Sequence, residues 1–173
     1  MGQTAQAALW IPLLPLAAFV IQVFFGKRLP RQGDFVSVLA IFGSFLLAAP
    51  IFFKVLATGD VSDGLSYTWM SLPLGIKGLT AGHPPVLFEI VIGVVVNNLT
   101  AIMLFMVTLC SLLIHLFSTG YMHGEPRYHL FFSYISLFSA ALLGLVISDN
   151  LLTFFICWEL MGLCSYLLIG FYY

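Results

Sequence analysis

Long uncharged apolar runs, broken by short polar intervals, set the rhythm of this chain. No Asp, Glu, Lys or Arg occurs from Met1 to Gly26, from Phe35 to Phe53, from Ile90 to Gly124 or from Tyr128 to Ser148. From Asn150 onward only Glu159 interrupts. A helix needs about 20 mostly apolar residues to cross the hydrocarbon of a bilayer. The runs therefore predict five membrane-spanning helices, at roughly 7–25, 35–56, 97–119, 129–147 and 151–171. They are continuously apolar, without the alternation that barrel strands show, so a helical bundle is the expected fold. The fold class predicted is all-α, a polytopic transmembrane helix bundle.

One interval breaks the helical pattern. From Thr58 to Val96 the chain opens with turn chemistry (Thr58-Gly-Asp-Val-Ser-Asp-Gly64) and continues as Leu65-Ser-Tyr-Thr-Trp-Met-Ser-Leu72. After a Gly/Pro-rich stretch comes Phe88-Glu-Ile-Val-Ile-Gly-Val-Val-Val96, dominated by β-branched residues. That composition admits an extramembrane strand or β-hairpin between spans two and three. The organisation expected is spans one and two over 1–57, an outer connecting segment over 58–96, and spans three to five over 97–173.

Composition agrees with the pattern. Of 173 residues, 61% are hydrophobic and 8% charged, with six Lys+Arg against seven Asp+Glu. Soluble domains carry about 25% charged residues. So little charge excludes a soluble enzyme and a disordered chain, and the missing basic field excludes nucleic acid as a partner. The lipid bilayer is the first partner implied. Lys27, Arg28 and Arg31 lie between spans one and two and Arg127 between three and four, against Lys54 and Lys77 on the opposite side. Basic residues favour the cytoplasmic loops, so the amino terminus is expected outside. The first span does not read as a cleavable signal peptide, whose basic residues would precede the apolar run, nor does Gln6 fit a myristoylation site. Pro12 and Pro15 are expected to kink or begin the first helix, and Trp10 is placed as an interfacial anchor.

Among residues able to carry chemistry, Glu159 stands out. It lies eight positions into span five, about 12 Å along the axis. A carboxylate near the bilayer centre costs about 2.5–3.5 kcal/mol or more and is by default functional. Burial raises a carboxyl's proton affinity and a nearby cation lowers it, so such a group can load and release a proton when its partner moves; a purely structural, hydrogen-bonding Glu is the other reading. Phe155, Gly162 and Tyr166 share its helix face, Gly162 permitting close approach of another helix and Tyr166 offering a hydrogen bond or a hold on water. No basic residue of the chain sits at matching depth.

His115 is the second candidate, as a proton relay. Asn97, Thr108, Ser111, His115 and Thr119 fall in one sector of span three, which reads as an interhelical hydrogen-bond seam or a wetted path; a satisfied structural histidine is the plainer alternative. His123, Glu125, Arg127 and His129 read as a solvated turn. Asp149 or Asn150 is placed to cap span five, and Ser136, Ala140 and Gly144 form a small-residue face for helix packing. Cys110, Cys157 and Cys164 read as buried apolar residues without a C-x-x-C pair, and no metal site is expected.

The run Trp158-Glu-Leu-Met-Gly-Leu-Cys-Ser-Tyr-Leu-Leu-Ile-Gly-Phe-Tyr-Tyr173, preceded by Ser148-Asp-Asn-Leu-Leu152, closely resembles the fifth-span region of the subunit L/chain 5 family of NADH-quinone oxidoreductase (respiratory complex I). Leu113-Ile-His-Leu-Phe-Ser-Thr-Gly-Tyr-Met122 is similar to the family's third span. Phe131-Phe-Ser-Tyr134 through Leu137-Phe138 is similar to its fourth. The resemblance is close over residues 65–173 and one of layout over 1–64. It implies an antiporter-like, proton-translocating membrane subunit in a bacterial plasma (inner) membrane. Glu159 then matches the family's intramembrane glutamate, which works with a lysine on a later span, and His115 matches a histidine usual in the third span. NADH, FMN, iron–sulfur clusters and quinone are implied to belong to partner subunits, both membrane and peripheral, and none to this chain.

Two departures stand out. Asn97-Asn-Leu-Thr100 lacks the Asp usual at the start of span three, and Leu130 stands where an Arg often precedes the Phe pair. The family's chains are several times longer, so this one reads as the opening part of a subunit that alone would not pump. The corresponding membrane component of a multi-subunit sodium/proton antiporter, or of a related hydrogenase or bicarbonate-transport system, shares this core and is the alternative. A structural helical protein whose Glu159 only packs is the third reading.

Overall fold

A computed structural model describes residues 3–74 and 86–172. It contains five long helices: α1 (Gln3–Phe25), α2 (Asp34–Thr58), α3 (Asn98–Tyr121), α4 (Tyr128–Ile147) and α5 (Leu151–Ile169). All five are long and apolar enough to cross a membrane, as the uncharged runs predict. Helix α1 packs between α2 and α4, α3 packs on α2 and also meets α4, and α5 lies chiefly along α4. The first four helices thus close around a shared interior, where Ile11, Ile41, Ala48, Leu104 and Leu143 are fully buried. Phe105 of α3 stacks on Phe52 of α2 with ring centroids 4.4 Å apart.

Lipid gives helices no hydrophobic reason to associate, so close packing and interhelical hydrogen bonds hold a bundle together. Ser37 of α2 and Ser136 of α4 meet hydroxyl to hydroxyl at 2.6 Å in the interior. Ser44 of α2 donates to the Ile11 carbonyl of α1 at 2.7 Å. Pro15, four residues on, has no N–H to offer that carbonyl, so Ser44 takes its place as donor. Pro12 and Pro15 accordingly lie inside α1, which begins at Gln3, before either proline.

The interval after α2 contains an antiparallel hairpin of β1 (Asp63–Leu74) and β2 (Val86–Val96), paired from Asp63↔Val96 to Leu74↔Val86 with an irregularity between Thr68 and Met70. Helix α2 stops at Gly59, whose φ of 76° is readily reached only without a side chain. Strand β1 starts inside the cluster that reads as turn chemistry, and β2 begins two residues before the run that reads as a strand. Lys77, used to assign orientation, falls outside the described residues, as does Tyr173.

The hairpin is fastened to the helix ends beside it. The Asp63 carboxylate accepts from the Thr4 hydroxyl and from the Ala5 N–H, capping the start of α1 from 58–59 residues away. Thr4 first, then the backbone donors Ala5 and Gly64, hold this carboxyl below the ordinary aspartate range. At α3, Asn97 Oδ1 accepts the Thr100 N–H at 2.8 Å, and Asn98 ties the helix back to Val61 and Gly59.

Candidate functional site

Helix α5 carries the first candidate group, and its surroundings differ from those of the other helices. Only 6% of its most apolar stretch is buried against the rest of the chain, compared with 56% for α4. The seam with α4 runs through Cys157, whose Sγ lies 3.1 Å from the ideal Cβ position of Gly144, and through buried Cys164. At 100° per residue, Glu159 sits about 200° round the helix from Cys157. Its side chain therefore leaves α5 on the side away from α4, and it is exposed in this chain.

Phe155 and Tyr166, read as sharing that face, are exposed as well, at 56% and 74%. No described residue of α1–α4 covers this sector. Tyr166 does border a groove of about 490 Å³ between the ends of α4 and α5, together with Arg127, Tyr134 and Phe171.

His115 lies at the opposite extreme. It is fully buried in the α1–α4 interior. Its Nδ1 is 2.7 Å from the Ser111 carbonyl, one turn back on α3, and its ring meets Phe132 edge to face. Nε2 is buried with no hydrogen-bond partner among the described residues. Of the polar sector read on α3, Thr108, Ser111 and His115 turn inward, joined by Ser118. Asn97 is instead the helix cap, and Thr119 bonds its own backbone. Ser139 of α4 donates to Ser111 at 3.4 Å, so the seam is partly an interhelical hydrogen-bond line. His115 and Glu159 are not brought together, because α4 stands between α3 and α5.

The turn from His123 to His129 is less uniformly solvated than its sequence suggests. Arg127 donates to the Phe171 carbonyl and lies over the Phe171 ring, 5.0 Å from its centroid. It thereby pins the 3₁₀ turn Gly170–Tyr172 that follows α5. His129 is 5% exposed and abuts Gly26, where an added Cβ would lie 2.9 Å from the histidine Cβ. Asp34, at the start of α2, is 3% exposed and accepts from the Tyr128 hydroxyl at 3.1 Å. Gln22 is fully buried and donates to the Gly33 carbonyl at 2.8 Å. Neither burial has a sequence signal, since both depend on α1, α2 and α4 converging. Among the described residues no three His, Cys, Asp or Glu side chains gather closely enough to hold a metal ion.

The comparisons with known proteins bear on this arrangement. Residues 85–132 match the family model described as the amino terminus of NADH-ubiquinone oxidoreductase (complex I) chain 5. F(420)H(2) dehydrogenase subunit L of Methanosarcina mazei is 40% identical over 96% of this chain and 22% of its own length. NADH-quinone oxidoreductase subunit L of Neisseria meningitidis is 38% identical over 94% of this chain and 23% of its own length. Over nearly its whole length this chain is similar to the amino-terminal quarter of subunit L/chain 5 proteins. NAD(P)H-quinone oxidoreductase chain 5 of Synechocystis is 37% identical over 97% of it and 24% of that protein. The chain thus spans about a quarter of the length of the family members it matches.

A solved structure, that of the membrane-bound sulfane sulfur reductase, an archaeal respiratory membrane complex, superimposes with a TM-score of 0.69 at 17% identity. It covers 94% of this chain and 30% of the matched one, a likeness of fold. With five helices long and apolar enough to cross a membrane and a fold shared with a membrane respiratory complex, the protein is an integral membrane protein. Asn97 caps α3 through its side-chain oxygen, a role that an Asp at this position would fill equally well.

Proposed function

We propose that this chain is the amino-terminal portion of a membrane proton-translocating subunit of an NADH:quinone oxidoreductase, coupling electron transfer elsewhere in the complex to proton movement across the bilayer. The observation that carries the reading is Glu159, about 12 Å along α5 from Leu151 and turned away from α4. A carboxylate at that depth persists when a partner group or water covers it and when its charge is used. Glu159 is the proton-carrying carboxyl in this reading, and Tyr166 a hydrogen-bond or water contact on the same helix. His115 is a relay group within α1–α4, Nε2 being the atom that would take a proton.

Redox chemistry then belongs to other membrane and peripheral subunits, which hold NADH, flavin, iron–sulfur clusters and quinone. The names of the relatives differ in electron donor, F(420)H(2) against NADH and NAD(P)H, while this region is shared. That supports a role on the membrane side of the coupling. The location proposed is a bacterial plasma membrane, with the amino terminus and hairpin outside and Lys27, Arg28 and Arg127 inside, in keeping with basic residues on the cytoplasmic side.

The test is Glu159→Gln in the complete protein within its assembled complex, with proton uptake and quinone reduction followed in membrane vesicles. Pumping should fall at least tenfold while the complex still assembles, and His115→Ala should give a milder loss. Pumping at the normal rate in Glu159→Gln would remove the proposed role.

A further inference from the structure

The start of α5 is joined to the hairpin through several contacts that converge on residues 148–150. Ser148 forms an isolated antiparallel bridge with Val94. The Asp149 N–H donates to the Gly93 carbonyl at 3.4 Å. Asn150 Nδ2 donates to the Val91 carbonyl at 2.7 Å and to Asp149 Oδ1 at 2.6 Å. The same side chain accepts the Thr153 N–H through Oδ1 at 2.8 Å, closing the first turn of α5. One carboxamide is therefore shared between a strand and a helix amino terminus. Gly93 belongs to the fit as well, because a Cβ built there would collide with the Asp149 carboxylate.

Capping alone needs only an oxygen, and Ser, Thr or Asp would supply it. The donor half of Asn150 does something else, holding the helix start against β2. Among the described residues α5 packs chiefly along α4, so within this chain the contacts at residues 148–150 are its link to the hairpin. Its far end is pinned separately by the bond from Arg127 to the Phe171 carbonyl. Between the two ties, its position along its own axis follows from where residues 148–150 are held. Glu159 lies nine residues beyond Asn150, about 13.5 Å along the helix, and moves with it as a rigid unit.

We infer that Asn150 is a positioning residue, whose bond to Val91 sets the depth of Glu159 in the membrane by tying α5 to the hairpin. The inference rests on the reading of Glu159 as the proton-carrying carboxyl, and deepens it by making the hairpin the reference point for that carboxyl. Any displacement of β2 would then reach Glu159 through the contacts at residues 148–150, among which the Asn150 amide is the side-chain tie. What a carboxyl in the membrane exchanges protons with depends on the water and charge around it, so a change of depth should alter the pH dependence of pumping.

The experiment uses the full-length protein in its complex and compares Asn150→Ser, Asn150→Ala and Glu159→Gln. Serine keeps the cap but is too short to reach Val91. Two quantities are read: the pH dependence of proton pumping, and the membrane depth of a nitroxide attached at position 163, on the exposed side of α5. Asn150→Ser should displace the label and move the pH midpoint by about one unit, a tenfold change in proton affinity. Should that variant assemble poorly, Gly93→Ala, which crowds Asp149 and leaves Asn150 intact, should shift both readouts as well. Wild-type depth and midpoint in Asn150→Ser, with only lower thermal stability in Asn150→Ala, would reduce Asn150 to a cap and overturn the inference. Normal pumping in Glu159→Gln would instead refute the underlying reading, and the label depth would still report on the tie.

Discussion

Replacing Glu159 by Leu should make α5 a better membrane helix and a useless one. Glu159 is eight residues, about 12 Å, into a helix that crosses a core roughly 30 Å thick, so it lies close to the midplane. A charged residue there opposes insertion by about 2.5–3.5 kcal/mol, whereas Leu favours it by about 0.3–0.6 kcal/mol. The exchange should therefore improve insertion of the isolated α5 segment by about 3–4 kcal/mol, a few hundredfold in the insertion equilibrium. A translocation assay on residues 148–172 in a carrier protein, read by glycosylation on either side of the segment, measures this directly. In the full-length protein the same substitution should abolish proton pumping, since Leu can neither bind a proton nor hold water. An insertion gain below about 1 kcal/mol would show that Glu159 sits at the interface, where charge is cheap, and would refute the placement. Retained pumping would refute the function. The two arms are independent, because the first depends on depth and the second on chemistry.

Two further outcomes follow from the contacts at the hairpin end of the bundle. Hydrogen bonds hold Asp63 below the usual aspartate range, so its stabilising contribution is present above the unfolded-state pKa and is lost as pH falls through the lowered folded one. Hydrogen exchange at the first turn of α1 should speed up over that acidic window, and Asn at position 63 should remove the pH dependence; exchange that ignores pH in the wild type contradicts the cap. At α3, Asn97→Asp should leave thermal stability nearly unchanged, whereas Asn97→Ala should cost about 1 kcal/mol, measured by thermal unfolding in detergent.

The spans were legible because lipid imposes a severe rule: a segment without charges over 20 residues has few other fates. The strand character of the stretch ending at Val96 was legible for a similar reason, through its β-branched run. What escaped was long-range closure. Nothing near Asp63 says that it caps a helix 58–59 residues earlier, and nothing near Asp34 says that Tyr128 will reach it across the bundle. Pro15 illustrates the limit well. Its missing N–H can be read from the sequence, but only the packed structure shows Ser44 answering the freed carbonyl of Ile11. The face shared by Glu159, Phe155 and Tyr166 is legible as a sector of helix; that no described residue of α1–α4 covers it is not, because helical periodicity does not say which neighbour arrives.

That placement bears on how His115 and Glu159 can share one proton path. His115 is sealed among α1–α4, where Ser111 and Ser139 already offer it a polar line toward α4. Glu159 is on the far side of α5 from that line. A proton leaving His115 for Glu159 would have to pass α4 and then round the girth of α5, about 10 Å of helix, at a level where Gly144 and Cys157 close the seam. Hydroxyl relays work over single hydrogen-bond lengths, so no direct handover fits this geometry. If both serve the proposed function, they do so through separate contacts: His115 within the four-helix interior, and Glu159 on the outer face of α5. In the proposed function, coupling between them would then run through α4 and the residues that fix the ends of α5, rather than by proton exchange along one line of this chain's side chains.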